Sequence, residues 1–169
     1  MSIVQVSDFK GEINIANTSD MFVAQNVQWF IDKYEPIYFT QLLGADLYLL
    51  LKNGLLEDPI LTKWTELVAN IKGAANFIYC KYIKNEFSQT VGTGEVKTKG
   101  ANSYPYNPNV KIARAWNEML DYSLESIKYI NDNPVDYGGY YIENFYYMEW
   151  YNTYCDRPEI FKRMNTFGL

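Results

Sequence analysis

The chain contains no histidine. His-based triads, His general acids and His metal ligands are therefore excluded, while carboxylate, Tyr and Lys chemistry stays open. Cysteine is nearly absent. Cys80 and Cys155 stand far apart and without metal-ligand spacing. Cys80 lies in an apolar helical run and reads as a buried free thiol. No apolar run approaches the ~18 residues of a membrane span. Met1 to Lys10 lacks the basic start and apolar core of a signal peptide, so the chain is expected to be made in the cytosol and to stay off membranes. Positive charge is scarce as well, with 15 Lys and Arg against 20 Asp and Glu and a net charge of −5. Gripping phosphates takes clustered cations. A negative surface past which DNA slides without sticking fits this charge better.

Aromatic residues are abundant: 16 Tyr, 9 Phe and 4 Trp. Tyr serves both buried and wet positions, which is why interfaces collect it. At 169 residues the chain suits one domain that folds without disulfides or metal. The reading is mainly α, a compact helical bundle of about five helices. It has a long inter-helix loop, with a β-hairpin possible there, and an aromatic C-terminal extension.

Residues 1–17 read as an N-terminal arm, with Ile3, Val4 and Val6 suited to a short strand. The helical domain spans 18–133. Thr18 or Ser19 is expected to cap a first helix, with Asp20 in its first turn. Val23, Val27, Phe30, Ile31 and Tyr34 share its apolar face. Pro36 is expected to end that helix and open a second, carrying Ile37, Phe39, Leu42 and Leu43 to Gly44. A short third helix runs from Ala45 to Lys52. Asp58-Pro59 reads as a cap followed by a first-turn proline. From there Ile60, Trp64, Leu67, Ile71, Ala75, Ile78 and Tyr82 recur at helical spacing, as one helix to Thr90 or as two broken near 70–73. Residues 91–109 form the loop. The last helix, Asn109 to Asn131, has an inner stripe of Ala113, Trp116, Leu120, Leu124 and Ile127. Its outer stripe of Lys111, Arg114, Glu118, Asp121, Glu125 and Lys128 reads as a water-facing surface rather than an acid cluster. Of the tryptophans, Trp64 and Trp116 fall on apolar stripes and Trp29 beside one.

The segment Gly92 to Thr98 fails as a phosphate loop: Glu95 and Val96 separate Gly94 from Lys97, and a helix, not a strand, precedes it. A finger that docks on a neighbouring subunit is the preferred reading. Residues 134–169 are the aromatic extension, in which half of Tyr137 to Tyr154 is aromatic. Either it packs back as a last layer of core, or it presents a surface that another chain must cover. The candidate interface residues are Gly92, Gly94, Lys97, Lys99, Tyr104 and Tyr106 in the loop. In the extension they are Tyr140, Tyr141, Phe145, Tyr146, Tyr147, Trp150 and Tyr151. No catalytic, cofactor or metal residues are expected.

Three stretches carry a resemblance: Tyr34-Glu-Pro-Ile-Tyr-Phe-Thr-Gln-Leu-Leu-Gly44, Gly92-Thr-Gly-Glu-Val-Lys97 and Ala113-Arg-Ala-Trp-Asn-Glu-Met119. The chain is similar over residues 5–130 to small helical head–tail connector proteins of tailed phages and prophages of Bacteroidetes, crAss-like phages included. That resemblance implies a structural virion protein at the head–tail junction, assembled in the cytoplasm of a host bacterium. It implies a ring of about twelve copies with head-to-tail contacts, bound to a portal protein and to tail or further ring proteins, with DNA passing through without sequence-specific binding. A second reading is a non-enzymatic binding module whose Tyr-rich extension recognises a peptide or carbohydrate. A third, an enzyme using carboxylates or tyrosines, needs two converging acids, and no pair in the sequence shows that relation.

Overall fold

The computed structural model describes residues 2–91, 94–97 and 109–137. These are mainly helical. Five α-helices are found among them: α1 (Met21–Leu43), α2 (Ala45–Gly54), α3 (Thr62–Asn70), α4 (Ala74–Phe87) and α5 (Asn109–Asp132). Between α4 and α5 the backbone of Ser88–Val91 pairs antiparallel with Gly94–Lys97.

The expected number of helices is right, but their boundaries differ. α1 is capped by Asp20, not by Thr18 or Ser19. The Asp20 carboxylate accepts from the N–H groups of Phe22 (2.8 Å) and Val23 (3.3 Å), so a charge–dipole attraction adds to the hydrogen bonds. Pro36 lies inside α1 and does not end it. An interior proline costs about 3 kcal/mol. Burying Tyr38, Phe39, Leu42 and Leu43 beyond it stabilises the continued helix by about 1.5–3 kcal/mol per side chain, which outweighs the proline. Gly44 then stops the helix at φ +79° and ψ 158°, a conformation open only to glycine.

Asp58-Pro59 does not open α3, which begins at Thr62. The chain first turns back through residues 55–61 so that Trp64 lies on Gly54, where any Cβ would collide with the indole. The long periodic stretch is split into α3 and α4. Gly73, at φ +94°, makes the break, and a Cβ there would meet the Tyr38 hydroxyl at 2.5 Å. The interrupted backbone is satisfied from two sides. Tyr38 donates to the Lys72 carbonyl (2.6 Å), and the Lys72 N–H donates to Ser126 Oγ (3.0 Å).

Paired contacts fix the packing. α1 runs antiparallel to α4, with Phe30 edge-on to Tyr82 and Tyr34 edge-on to Phe77. α4 runs antiparallel to α5, with Phe77 against Trp116 and Cys80 against the Ile112 carbonyl. α5 reaches α1 where Tyr38 and Ser123 share a hydrogen bond of 2.9 Å. α2 turns back along α1, stacking Tyr48 on Phe39. α3 leans on α5 and on Tyr137, whose hydroxyl donates to the Lys63 carbonyl (3.2 Å). Cys80 is a buried free thiol as expected, and burial pushes it up to about 12.

Two stripe expectations need correction. Ile60 precedes α3 and is exposed, and Leu124 is 48% exposed. The buried face of α5 is completed by Ser123, Ser126 and Ile130 instead. Ser123 takes the inward position because its hydroxyl meets Tyr38, which turns Leu124 towards solvent. The N-terminal segment forms two 3-10 turns, Val6–Asp8 and Gly11–Ile13, in place of the expected strand. Asp8 accepts the Gln5 N–H (2.8 Å), a local bond that competes with extended structure. Val4, Phe9, Ile13 and Ile15 are buried, so this segment lies on the bundle.

Candidate functional site

Gly94 and Lys97 begin and end the second paired segment between α4 and α5. The other proposed interface positions, Gly92, Lys99, Tyr104, Tyr106 and Tyr140 to Tyr151, lie outside the described residues. The described residues contribute apolar side chains left in solvent.

Most of these fall into two groups, while Leu124 on α5 and Val135 beyond it stand apart. The first is on the N-terminal half of α1, where Phe22 is 75% and Trp29 53% exposed, with Met21 beside them. Positions 22 and 29 are about two helical turns apart, so both rings lie on one side of α1. Trp29 meets Phe30 edge-on at 5.0 Å and lies under the Lys33 ammonium at 4.7 Å. It is a fixed aromatic plate with one face occupied by a cation. The second face comprises Leu49 and Leu50 of α2, with Leu56, Ile60 and Leu61 of the α2–α3 connection, all exposed and Leu56 at 72%. Leu50 lies one turn before Gly54, and Ile60 and Leu61 lead directly into Trp64. The Gly54–Trp64 contact sets the start of α3 against the end of α2.

Two polar features support the bundle near a cleft of about 610 Å³ between the N-terminal segment and α3, α4 and α5. Glu118, expected on the water-facing stripe, is half-buried and lines this cleft. One of its oxygens accepts from Asn76 Nδ2 (2.6 Å) and the other from the Tyr122 hydroxyl (2.9 Å). Its hydrogen bond is the main cause that raises the Tyr122 hydroxyl. Asn76 also donates to the Ala115 carbonyl (3.3 Å), so the pair joins α4 to α5 and fixes a carboxylate as an acceptor.

Glu35 is buried on α1, with its carboxylate accepting the Val4 N–H at 2.8 Å and standing 3.9 Å from Lys52 Nζ. Burial raises its carboxyl above the usual carboxylate range, partly opposed by Val4 and Lys52. Tyr48 is pushed up to about 12, first by burial and then by the Glu35 charge. Glu35 thus ties the N-terminal segment to α1 and α2. The sequence holds a signal for it: an acid four residues after Ile31 and four before Phe39 sits on an apolar stripe. Among the described residues, no three His, Cys, Asp or Glu side chains group as metal ligands, and no helix is long and apolar enough to cross a membrane. No family model, curated protein or solved structure matches the chain.

Proposed function

We propose that the chain is a non-enzymatic structural subunit of a virion, a head–tail connector that forms a ring beneath a portal. The observation that carries this reading is that apolar side chains stay exposed at two different places in the described chain, on α1 and on α2 with its connection to α3. A ring closes through head-to-tail contacts, which need two different patches on each copy. Exposed patches of this kind are associated with protein contacts in general. The acidic balance of the chain suits a conduit through which a duplex must move freely. In this reading the segment between α4 and α5 is a finger that docks on a neighbour, and the aromatic extension adds contact area at the subunit or portal interface. The resemblance to connectors of tailed phages implies about twelve copies in a closed cyclic arrangement.

The test is electron microscopy of the protein mixed with the portal of its own phage, together with the native mass of the protein alone. A ring stacked on the portal is the expected result, whether or not the isolated protein is monomeric. A stable monomer that leaves the portal bare would overturn the reading. Peptide and glycan arrays would then probe the Tyr-rich extension as a binding module.

A further inference from the structure

Phe22, Asn26, Trp29 and Lys33 follow one another at helical steps, so their side chains stand in one line along α1. All four are exposed, and Lys33 is the charged member. The acids around this stripe are engaged within the molecule. Asp20 caps the helix, Glu86 accepts from Asn26 (3.3 Å), and Asp32 accepts from Gln28 (2.8 Å) and Ser2 (3.3 Å). The connection between α2 and α3 has the opposite charge. Residues 56–61 are exposed throughout. In them Leu56, Ile60 and Leu61 flank Glu57 and Asp58, with no Lys or Arg. The Leu56 N–H donates to the Asn53 carbonyl (3.0 Å) and the Trp64 N–H to the Leu61 carbonyl (2.9 Å). Both ends are thereby held, which lowers the ordering cost of binding. The cations that flank this connection are turned to their own partners, Lys52 to Glu35 and Lys63 to the Trp64 ring at 4.6 Å. Among the described residues, Lys33, Glu57 and Asp58 form no ion pair.

We propose that the α1 stripe of one copy docks on residues 56–61 of the next copy, with Phe22 and Trp29 over Leu56, Ile60 and Leu61 and with Lys33 against Glu57 and Asp58. The proposal rests on the ring reading and names the contact between neighbouring copies. Flat rings on branched aliphatic side chains remove both from water and form the apolar centre of the contact. The charges at its margin set orientation and register. The same charges select head-to-tail over two-fold pairing. Two α1 stripes offer Lys33 no acid, and two copies of the connection bring only carboxylates together. Only the unlike pair joins opposite charges, and an unlike pair is what a ring requires.

The experiment uses the full-length chain with a photo-crosslinking phenylalanine analogue at position 22. Unlabelled and heavy-nitrogen chains are mixed, irradiated with and without the portal, and read by mass spectrometry, while electron microscopy scores rings on the same samples. Crosslinks from position 22 to residues 55–61 in mixed-isotope pairs are the expected result. Rings whose crosslinks from position 22 fall elsewhere would overturn this contact and leave the ring reading standing. Crosslinks to 55–61 without rings would uphold the contact and remove the ring reading, and the absence of both would overturn both. Charge reversal sharpens the test, because these three side chains are exposed and their replacement leaves the bundle intact. Lys33→Glu alone, or Glu57→Lys with Asp58→Lys, should lower the crosslink yield by about tenfold or more, and all three changes in one chain should restore it. An unchanged yield in either partial variant, or no restoration in the combined one, contradicts the proposal.

Discussion

The α1–α4–α5 centre and the α2–α3 flank use apolar residues in opposite ways. In the centre, Val27, Ile31, Phe77, Ile78, Met119 and Ile130 have no exposed surface, and each helix meets its neighbour through interlocking side chains. The flank buries Leu47, Leu51, Trp64 and Leu67, yet leaves a second set of leucines uncovered. The centre buries its apolar residues on every facing helix, whereas the flank buries one set and leaves another in solvent. The comparison predicts a steep gradient in the cost of substitutions between the two regions.

The largest effect is expected at Trp116→Ala. Trp116 is buried and packs on Phe77, so the truncation leaves a cavity between α4 and α5 and should destabilise by about 3–5 kcal/mol. Leu56→Ser on the flank should change stability by no more than about 0.5 kcal/mol. Urea melts of both variants test the contrast. A Trp116→Ala variant that melts within a few degrees of the parent would abolish the distinction between centre and flank.

Gly73→Ala comes next. At φ +94° a Cβ is strained, and its nearest neighbours would be the Tyr38 hydroxyl and the Met119 carbonyl at 3.1 Å. The substitution should cost more than about 1 kcal/mol and weaken the Tyr38 bond to Lys72. Tyr38→Phe alone should cost about 0.5–1.5 kcal/mol. If the two variants together cost the plain sum, the break between α3 and α4 is not coupled to the hydroxyl network.

The legibility of the fold in the sequence divides along the same line. The bounds of helix α5 are readable almost to the residue, expected from Asn109 to Asn131 and found as Asn109–Asp132, although Leu124 and Glu118 are assigned to the wrong environments. The inward turn of Ser123 is not readable. A serine becomes a core residue only when a hydroxyl such as that of Tyr38 waits opposite, and that is a tertiary fact. Pro36 misleads because local propensity sets a cost of about 3 kcal/mol, while burial beyond it is decided by α2 and α4. Asp58-Pro59 carries a strong start signal, but the contact of Trp64 with Gly54 places the start of α3 at Thr62. The exposed faces are legible least. Leu49, Leu56 and Phe22 belong to none of the stripes read from the sequence, and only the arrangement of neighbours shows that they stay exposed.

Glu35 gives a smaller effect with a definite sign. Its carboxyl is raised above the usual carboxylate range, chiefly by burial. The native state therefore holds the proton more tightly than the unfolded chain does. Stability from this group is present at low pH and lost as pH rises through the raised value. Glu35→Gln keeps an acceptor for the Val4 N–H and removes the titration. Stability measured against pH from the mildly acidic range to neutrality should fall for the parent relative to the variant. A difference that rises with pH would mean that Lys52 and the Val4 N–H hold the carboxylate ionised, so that they outweigh burial.

The smallest predicted effect is at Leu124, and its value lies in a comparison one helical turn away. Leu120 and Leu124 have the same side chain on the same helix, and periodicity assigns both to one apolar stripe. Leu120 is 5% exposed and Leu124 48%. Leu120→Ala should cost about 2–5 kcal/mol, whereas Leu124→Ala should change stability by no more than about 0.5 kcal/mol. Equal costs would show that Leu124 is covered by chain outside the described residues. A near-zero cost for Leu124 joined to loss of assembly would extend the contact surface onto α5. The pair thus separates a buried leucine from an exposed one, at a spacing where sequence alone treats them alike.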